Sequence, residues 1–79
     1  MNIKVLGTGC PKCKTLERKT RDAISELGID AEVSKVEDIM EIMQYGILHT
    51  PGLVINEKVV MSGRIPSSDE IKKLITQNL

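Results

Sequence analysis

Aromatic side chains are nearly absent from this sequence of 79 residues. It contains no Trp and no Phe, and Tyr45 is its only Tyr. Hydrophobic residues make up 41% of the chain, so a core has to be built from Ile, Leu, Val and Met. A chain of this length buries only about 60–65% of its unfolded surface. We therefore expect a thin core in one domain, residues 1–79.

An excess of charge of either sign is also missing. Eleven Lys and Arg residues balance eleven Asp and Glu residues, which gives a formal net charge of zero. Proteins that bind nucleic acid or a membrane surface need a basic excess, so the composition argues against both. No apolar run approaches the ~20 residues of a membrane span, and the N-terminus has no signal-peptide pattern. We expect a cytoplasmic protein.

Cysteine is scarce as well, since Cys10 and Cys13 are the only two. A secreted disulfide scaffold of this size carries more cysteines, spread along the chain. A bond between Cys10 and Cys13 closes a very small loop, and the entropic stabilisation grows with loop length. The pair is therefore predicted to serve chemistry rather than stability.

The apolar pattern predicts the element order β-α-β-α-β-β-α. Asn2–Leu6 alternates as a strand, and a helix then runs from Pro11 to about Leu27, where Gly28 ends it. Further strands are expected at 29–36, 53–55 and 58–61, with helices at 37–44 and after Ser67. The first two strands are joined by a helix of crossover length, which makes them parallel. Four strands in a mixed sheet with helices on both faces form a three-layer α/β/α sandwich.

The same pattern predicts which side chains are buried. The first helix has an apolar stripe with Thr20 on the same side, and its members are Leu16, Ala23, Ile24 and Leu27. The second helix is expected to be short and well buried. Three methionines are expected to fill the core: Met40, Met43 and Met61.

The two cysteines stand in the segment Gly9-Cys10-Pro11-Lys12-Cys13, between a strand and a helix. A Cys-x-x-Cys pair in this position is typical of a dithiol redox site. Cys10 is the better nucleophile, because free N–H groups and the helix dipole favour a thiolate at the helix start and lower its pKa. Cys13 lies nearly one turn deeper and is expected to be buried and to resolve the mixed disulfide. Lys12 is a candidate for tuning the thiolate or contacting partners.

Thr50-Pro51 is a second candidate element, because it follows the second helix and precedes a buried strand. Such a proline is a candidate for a cis peptide bond. The backbone of Thr50 would then be placed to pair with an extended substrate segment, as in strand addition.

Two other uses of the cysteine pair remain open. The first is transfer of a soft metal such as Cu(I), although copper chaperones have the order β-α-β-β-α-β and this chain is predicted to end in a helix. A closed zinc site usually needs four ligands, and the only strong candidate beyond the two cysteines is His49, so one chain cannot supply the full set. The second is a non-catalytic module that senses redox state.

Taken together, these motifs resemble the thioredoxin superfamily, specifically its small, glutaredoxin-sized members, over nearly the whole chain. The resemblance implies that Cys10 is the attacking thiol, Cys13 the resolving thiol and Pro51 the cis-proline. It implies a thiol–disulfide oxidoreductase that acts on protein disulfides without a bound cofactor. An upstream donor similar to thioredoxin reductase would restore the dithiol, and the protein would act as a monomer. The implied supporting and substrate-binding residues are Gly9, Pro11, Lys12, Thr50, Pro51 and Gly63.

Overall fold

The computed structural model describes residues 1–79 and contains four strands and three helices in the predicted order. The elements are β1 (Asn2–Leu6), α1 (Pro11–Leu27), β2 (Glu32–Val36), α2 (Ile39–Gln44), β3 (Gly52–Ile55), β4 (Lys58–Ser62) and α3 (Ser68–Gln77). The predicted α/β fold with a mixed four-stranded sheet is confirmed.

The strands lie in the order β2-β1-β3-β4, with β1 and β2 parallel and the other two pairs antiparallel. The pairing register aligns Leu6 with Val36 on one side and with Gly52 on the other. Gly52 is in turn aligned with Ser62. The loops that follow β1, β2 and β4 and the loop that precedes β3 therefore all leave the sheet at the same end.

Side chains that alternate along the central strands divide the core between the two faces of the sheet. On one face, β1 and β3 pack against α1 and α3 in a cluster of nine buried residues that includes Leu16 and Ile71. On the other face, Leu6 and Val54 pack against Ile42 of α2 and against Ile47. Both faces of the sheet are thus covered by helix, with α1 and α3 on one face and the short α2 on the other, which gives three layers.

The second strand and the second helix both begin later than predicted. β2 begins at Glu32 rather than Ile29. α2 begins at Ile39 rather than Glu37, because Asp38 is its N-cap and its carboxylate accepts the Met40 N–H at 2.8 Å. An N-cap residue has extended backbone. Glu37 and Asp38, the two acidic residues that favour this helix start, therefore lie outside the helix.

The prediction that α2 is well buried was wrong. Only Ile42 is buried, at 2% exposure, whereas Ile39, Met40 and Met43 are 55%, 68% and 64% exposed. A helix of six residues presents one turn to the sheet, and these three side chains are left exposed to solvent. Met40 and Met43 are therefore not core residues, while Met61 is buried as predicted.

The hairpin between β3 and β4 turns through two residues with positive φ, Asn56 at 51° and Glu57 at 66°. This is the backbone of a type I′ turn, which usually has glycine at its second position. The Glu57 carboxylate accepts from Lys4 Nζ at 2.7 Å and from the Tyr45 hydroxyl at 3.3 Å. Lys4 also donates to the Tyr45 hydroxyl at 2.9 Å, so this hydroxyl is paired within the protein.

The two long helices have well-defined ends. Gly28 ends α1 in the left-handed conformation at φ 66°, as predicted. Ser67 caps α3 by accepting the Glu70 N–H at 3.2 Å, but the Glu70 carboxylate pairs with Arg64, so only one of the two hydrogen bonds of a capping box forms. None of the three helices combines the length and apolar character that a membrane span requires.

Candidate active site

The candidate site lies at the end of the sheet where the four loops converge. The chain leaving β1 stays beside β2, since the Gly7 N–H donates to the Val36 carbonyl at 2.9 Å. The loops of β3 and β4 are joined in the same way by the Gly63 N–H and the Pro51 carbonyl, also at 2.9 Å. The dithiol segment and the Thr50-Pro51 segment, which the sequence singled out separately, are thus brought to the same end of the sheet.

Cys10 is the N-cap residue of α1. Its backbone is extended, at φ −69° and ψ 164°, and its Sγ accepts the Cys13 N–H at 3.3 Å. Its carbonyl accepts the Lys14 N–H at 3.1 Å and so begins the helical hydrogen bonds. Pro11 occupies the first helical position, where the missing N–H costs nothing. The Cys10 sulfur is therefore held at the positive end of a 17-residue helix and remains partly exposed.

Hydrogen bonds to sulfur lower the pKa of the Cys10 thiol. The largest contribution is the Cys13 thiol, which donates to Cys10, followed by the backbone N–H groups of Cys13 and Lys12. Donors that face a thiolate favour its charged form. Lys12 thus acts through its backbone amide, whereas its side chain is exposed to solvent.

Cys13 is shifted the other way. Burial raises the pKa of the Cys13 thiol, and its role as donor to Cys10 raises it further. The side chain is only 5% exposed. The two thiols of the motif are therefore chemically different: one is accessible and favours the thiolate, while the other is buried and favours the protonated form.

Gly7 is a site residue that the sequence reasoning missed. It is buried, and a Cβ added to it would overlap the Cys13 sulfur and lie 3.0 Å from Cys13 Cβ. No side chain fits at this position while Cys13 keeps its place. The available signal was a glycine directly after a strand and three residues before the first cysteine, which marks a close approach of the backbone.

A small pocket beside Cys13 is lined by charged side chains that the motif alone does not reveal. Glu17 lies one helical turn beyond Cys13 and is 17% exposed. Its carboxylate accepts from Nε of Arg21, four residues further along α1, at 3.0 Å and lies 3.8 Å from Lys35 Nζ. Glu37 reaches the same pocket from the end of β2. Cys13 is therefore flanked by charges that the fold assembles from α1 and β2.

Thr50 and Pro51 are joined by a cis peptide bond. Pro51 is buried, whereas Thr50 is exposed and its backbone N–H and carbonyl make no hydrogen bond within the chain. Gly63 faces this segment with φ 82°, and a Cβ there would lie 3.3 Å from His49 Cβ. His49 itself is an exposed loop residue with no hydrogen-bond partner of its own in the chain.

The arrangement offers two free thiols and little else that is reactive. Both cysteines are unbonded, and nowhere in the chain do three or more His, Cys, Asp or Glu side chains converge as a set of metal ligands. An α/β/α fold of this topology with an N-capping Cys-x-x-Cys dithiol defines the class of thioredoxin-like thiol–disulfide oxidoreductases.

Comparison with known proteins identifies the family within this class. The family described as "Thioredoxin domain" matches residues 1–76. A thioredoxin from Methanothermobacter thermautotrophicus is 41% identical over 76 residues, covering 96% of this chain and 99% of that protein. A thioredoxin from Methanocaldococcus jannaschii is 45% identical over 71 residues, covering 90% of this chain and 81% of that one.

The fold is also similar to that of thioredoxin 1 from the thermophilic eubacterium Thermosipho africanus. The TM-score is 0.65 at 24% identity, with 98% of this chain and 92% of that chain covered. The chain belongs to the thioredoxin family, and it is a thiol–disulfide oxidoreductase.

Proposed function

We propose that the protein reduces protein disulfides, with Cys10 as the attacking thiolate and Cys13 as the resolving thiol. The observation that carries this assignment is the contrast between the two sulfurs. Cys10 is partly exposed, caps α1 and has a lowered pKa, while Cys13 is buried and has a raised one. Thiolate is the reactive form, so the exposed sulfur attacks first.

The reaction proceeds in two exchanges. Cys10 thiolate attacks one sulfur of the substrate disulfide, forms a mixed disulfide and releases the other sulfur as a thiolate. Cys13 then loses its proton and attacks Cys10, which releases the second substrate thiolate and leaves a Cys10–Cys13 disulfide. Two electrons pass from the dithiol to the substrate. A dithiol donor similar to thioredoxin reductase returns them, and a reducing compartment such as the cytoplasm suits this cycle.

Substrate contact is assigned to the loops around the dithiol. Thr50 has an exposed, unpaired backbone, which suits pairing with an extended substrate segment in the manner of strand addition. Gly9, at φ 89°, and Gly63, at φ 82°, keep the neighbouring surface free of side chains. Pro51 supports the Thr50 loop from within, and Lys12 stands exposed beside the dithiol.

A redox titration tests the dithiol. The protein is equilibrated in dithiothreitol buffers of known potential, trapped with an alkylating agent and read by intact mass. We expect the protein to gain or lose two alkyl groups together as the potential changes. The midpoint potential is expected in the range of known oxidoreductases, about −270 to −120 mV. Alkylation of one thiol at a time, or protection that only a chelator removes, would refute exchange and favour metal binding.

Single-cysteine variants test the division of roles. Cys13→Ser is expected to accumulate a mixed disulfide with a disulfide-bridged peptide, because the attacking thiol remains and the resolving thiol is gone. Cys10→Ser is expected to form none at neutral pH, since the thiol that remains is buried. Intact mass after acid quenching distinguishes the two. Equal trapping by both variants would show that the roles are not divided in this way.

A further inference from the structure

Large apolar side chains are exposed in one part of the chain far more than elsewhere. Four of the six exposed large hydrophobic residues lie within ten positions, while Leu27 and Leu79 are the two others. We define the α2 patch as Ile39, Met40, Met43 and Leu48, which are 55%, 68%, 64% and 92% exposed. Met43 lies three residues after Met40 and four after Ile39, so it neighbours both of them on the surface of α2. Soluble monomers rarely expose such clusters without a use for them.

The α2 patch is continuous with the candidate active site at both of its ends. Ile39 stands two residues after Glu37, whose carboxylate approaches Gly9, the residue before Cys10. Leu48 stands two residues before Thr50. Two residues of extended chain span about 7 Å, so the patch begins and ends within one side-chain length of the site. A macromolecule that reaches Cys10 and Thr50 therefore also reaches the patch.

The rim of the patch is acidic. No Lys or Arg occurs between Lys35 and Lys58, whereas Glu37, Asp38 and Glu41 all lie beside the patch and are exposed. The one other acid in this stretch, Glu57, is paired with Lys4 and lines a shallow pocket together with Glu41 and Tyr45. On the other side of the dithiol, α1 begins with the exposed basic residues Lys12 and Lys14. The basic start of α1 meets the acidic rim at the pocket beside Cys13, which Lys14 and Glu37 both line.

Building on the proposed function, we propose that the α2 patch is the docking surface for disulfide-bearing protein partners, and that it selects partners with an apolar segment flanked by basic residues. Methionine is flexible and polarisable, so a patch half made of methionine adapts to more than one partner. The acidic rim adds orientation and a faster encounter with basic surfaces. A second copy of this chain is disfavoured, because a twofold contact through the patch places the acidic rims against each other.

The test compares three disulfide substrates at low ionic strength. Two are disulfide-bridged peptides with the same apolar segment, flanked by Lys in one and by Glu in the other, and the third is hydroxyethyl disulfide. For the wild type, kcat/KM is expected to be about tenfold higher for the Lys peptide, and this preference is expected to shrink in high salt. Glu41→Lys is expected to remove most of the preference and to leave hydroxyethyl disulfide unaffected.

Removal of the apolar side chains gives the second arm. Met40→Gln/Met43→Gln is expected to lower kcat/KM about tenfold for both peptides, mainly through KM, and to leave hydroxyethyl disulfide unchanged. Leu79→Gln is the matched control, since Leu79 is 73% exposed and lies outside the patch. The proposal is overturned if the control loses as much as the double variant, if the small disulfide is affected equally, or if both peptides are unaffected.

Two further readouts separate this proposal from its alternatives. Sedimentation of the wild type is expected to show a monomer, and a dimer that the methionine double variant dissociates would overturn the proposal by showing that a second copy covers the patch. A wild type that exchanges with none of the three substrates would instead refute the proposed function itself.

Discussion

At the scale of single residues, the two thiols differ in burial and in pKa. The Cys-x-x-Cys spacing allows this difference, but the local geometry around each sulfur produces it. Cys10 owes its lowered pKa to donors that face its sulfur, above all the Cys13 thiol. Cys13 can act as that donor only because burial keeps it protonated. The small residue beneath it, Gly7, leaves the room that this buried position requires.

Gly7→Ala tests that close contact. The backbone of Gly7 is not in the left-handed region, so the cost of the methyl group is steric rather than conformational. We expect the reduced protein to lose about 1–3 kcal/mol of unfolding free energy in urea, as is typical of overpacking. In a Cys13→Ala background the sulfur is gone, and the same substitution is expected to cost at least about 1 kcal/mol less. Equal costs in both backgrounds would place the strain elsewhere.

The role of a residue was predictable from the sequence where a motif defines that role. It was not predictable where the role depends on packing between elements. Helix position alone places Cys10 at the N-cap and Gly28 at the C-terminal end of α1. A glycine directly after β1 signals a close approach of the backbone, but that Cys13 is the side chain it meets depends on how closely β1 lies to α1. Thr20 was predictable by contrast, because its spacing places it on the apolar side of α1; it is fully buried there, and its hydroxyl donates to the Leu16 carbonyl at 2.8 Å.

At the scale of elements, α2 is where the apolar pattern and the fold disagree. A helical stretch rich in Ile and Met suggests burial on all sides, yet only Ile42 reaches the sheet. Ile42 packs in a buried cluster with four other side chains, Leu6, Val36, Ile47 and Val54. The type and order of every element were predictable from the apolar pattern along the chain, although β2 and α2 begin later than it indicated. The burial of α2 was not, because it depends on how much neighbouring structure covers a helix of six residues.

Alanine substitutions along α2 distinguish its two sides. Ile42→Ala is expected to lower the unfolding free energy by about 2–4 kcal/mol, because it leaves a cavity between helix and sheet. Met43→Ala, one position further, is expected to change it by no more than about 0.5 kcal/mol. Urea denaturation followed by circular dichroism measures both. A large loss for Met43→Ala would mean that its side chain is covered in solution.

At the scale of the whole molecule, the dithiol links folding stability to redox state. The oxidised protein contains a closed loop of four residues, which by loop entropy stabilises it by about 2 kcal/mol relative to the reduced protein. Only the reduced protein has the two thiols as titratable groups. The fold lowers the pKa of Cys10 and raises the pKa of Cys13 relative to the ordinary cysteine value of ~8.5. All other ionisable groups are shared by the two forms, so their pH dependence largely cancels in the difference.

The stability gap between the oxidised and reduced forms should therefore pass through a minimum near pH ~8.5. The folded Cys10 thiol has a lowered pKa, so its contribution is absent at acidic pH and grows as the pH rises through that pKa towards ~8.5, which narrows the gap. The folded Cys13 thiol has a raised pKa, so above ~8.5 it resists an ionisation that the unfolded chain allows, and the gap widens again. Guanidinium denaturation of both forms between about pH 5 and 10, with the reduced form held in excess phosphine, measures the gap directly. A gap that is flat across this range would show that the two thiols keep their ordinary pKa values in the fold, and one that only widens would show that burial of Cys13 outweighs the helix N-terminus at Cys10.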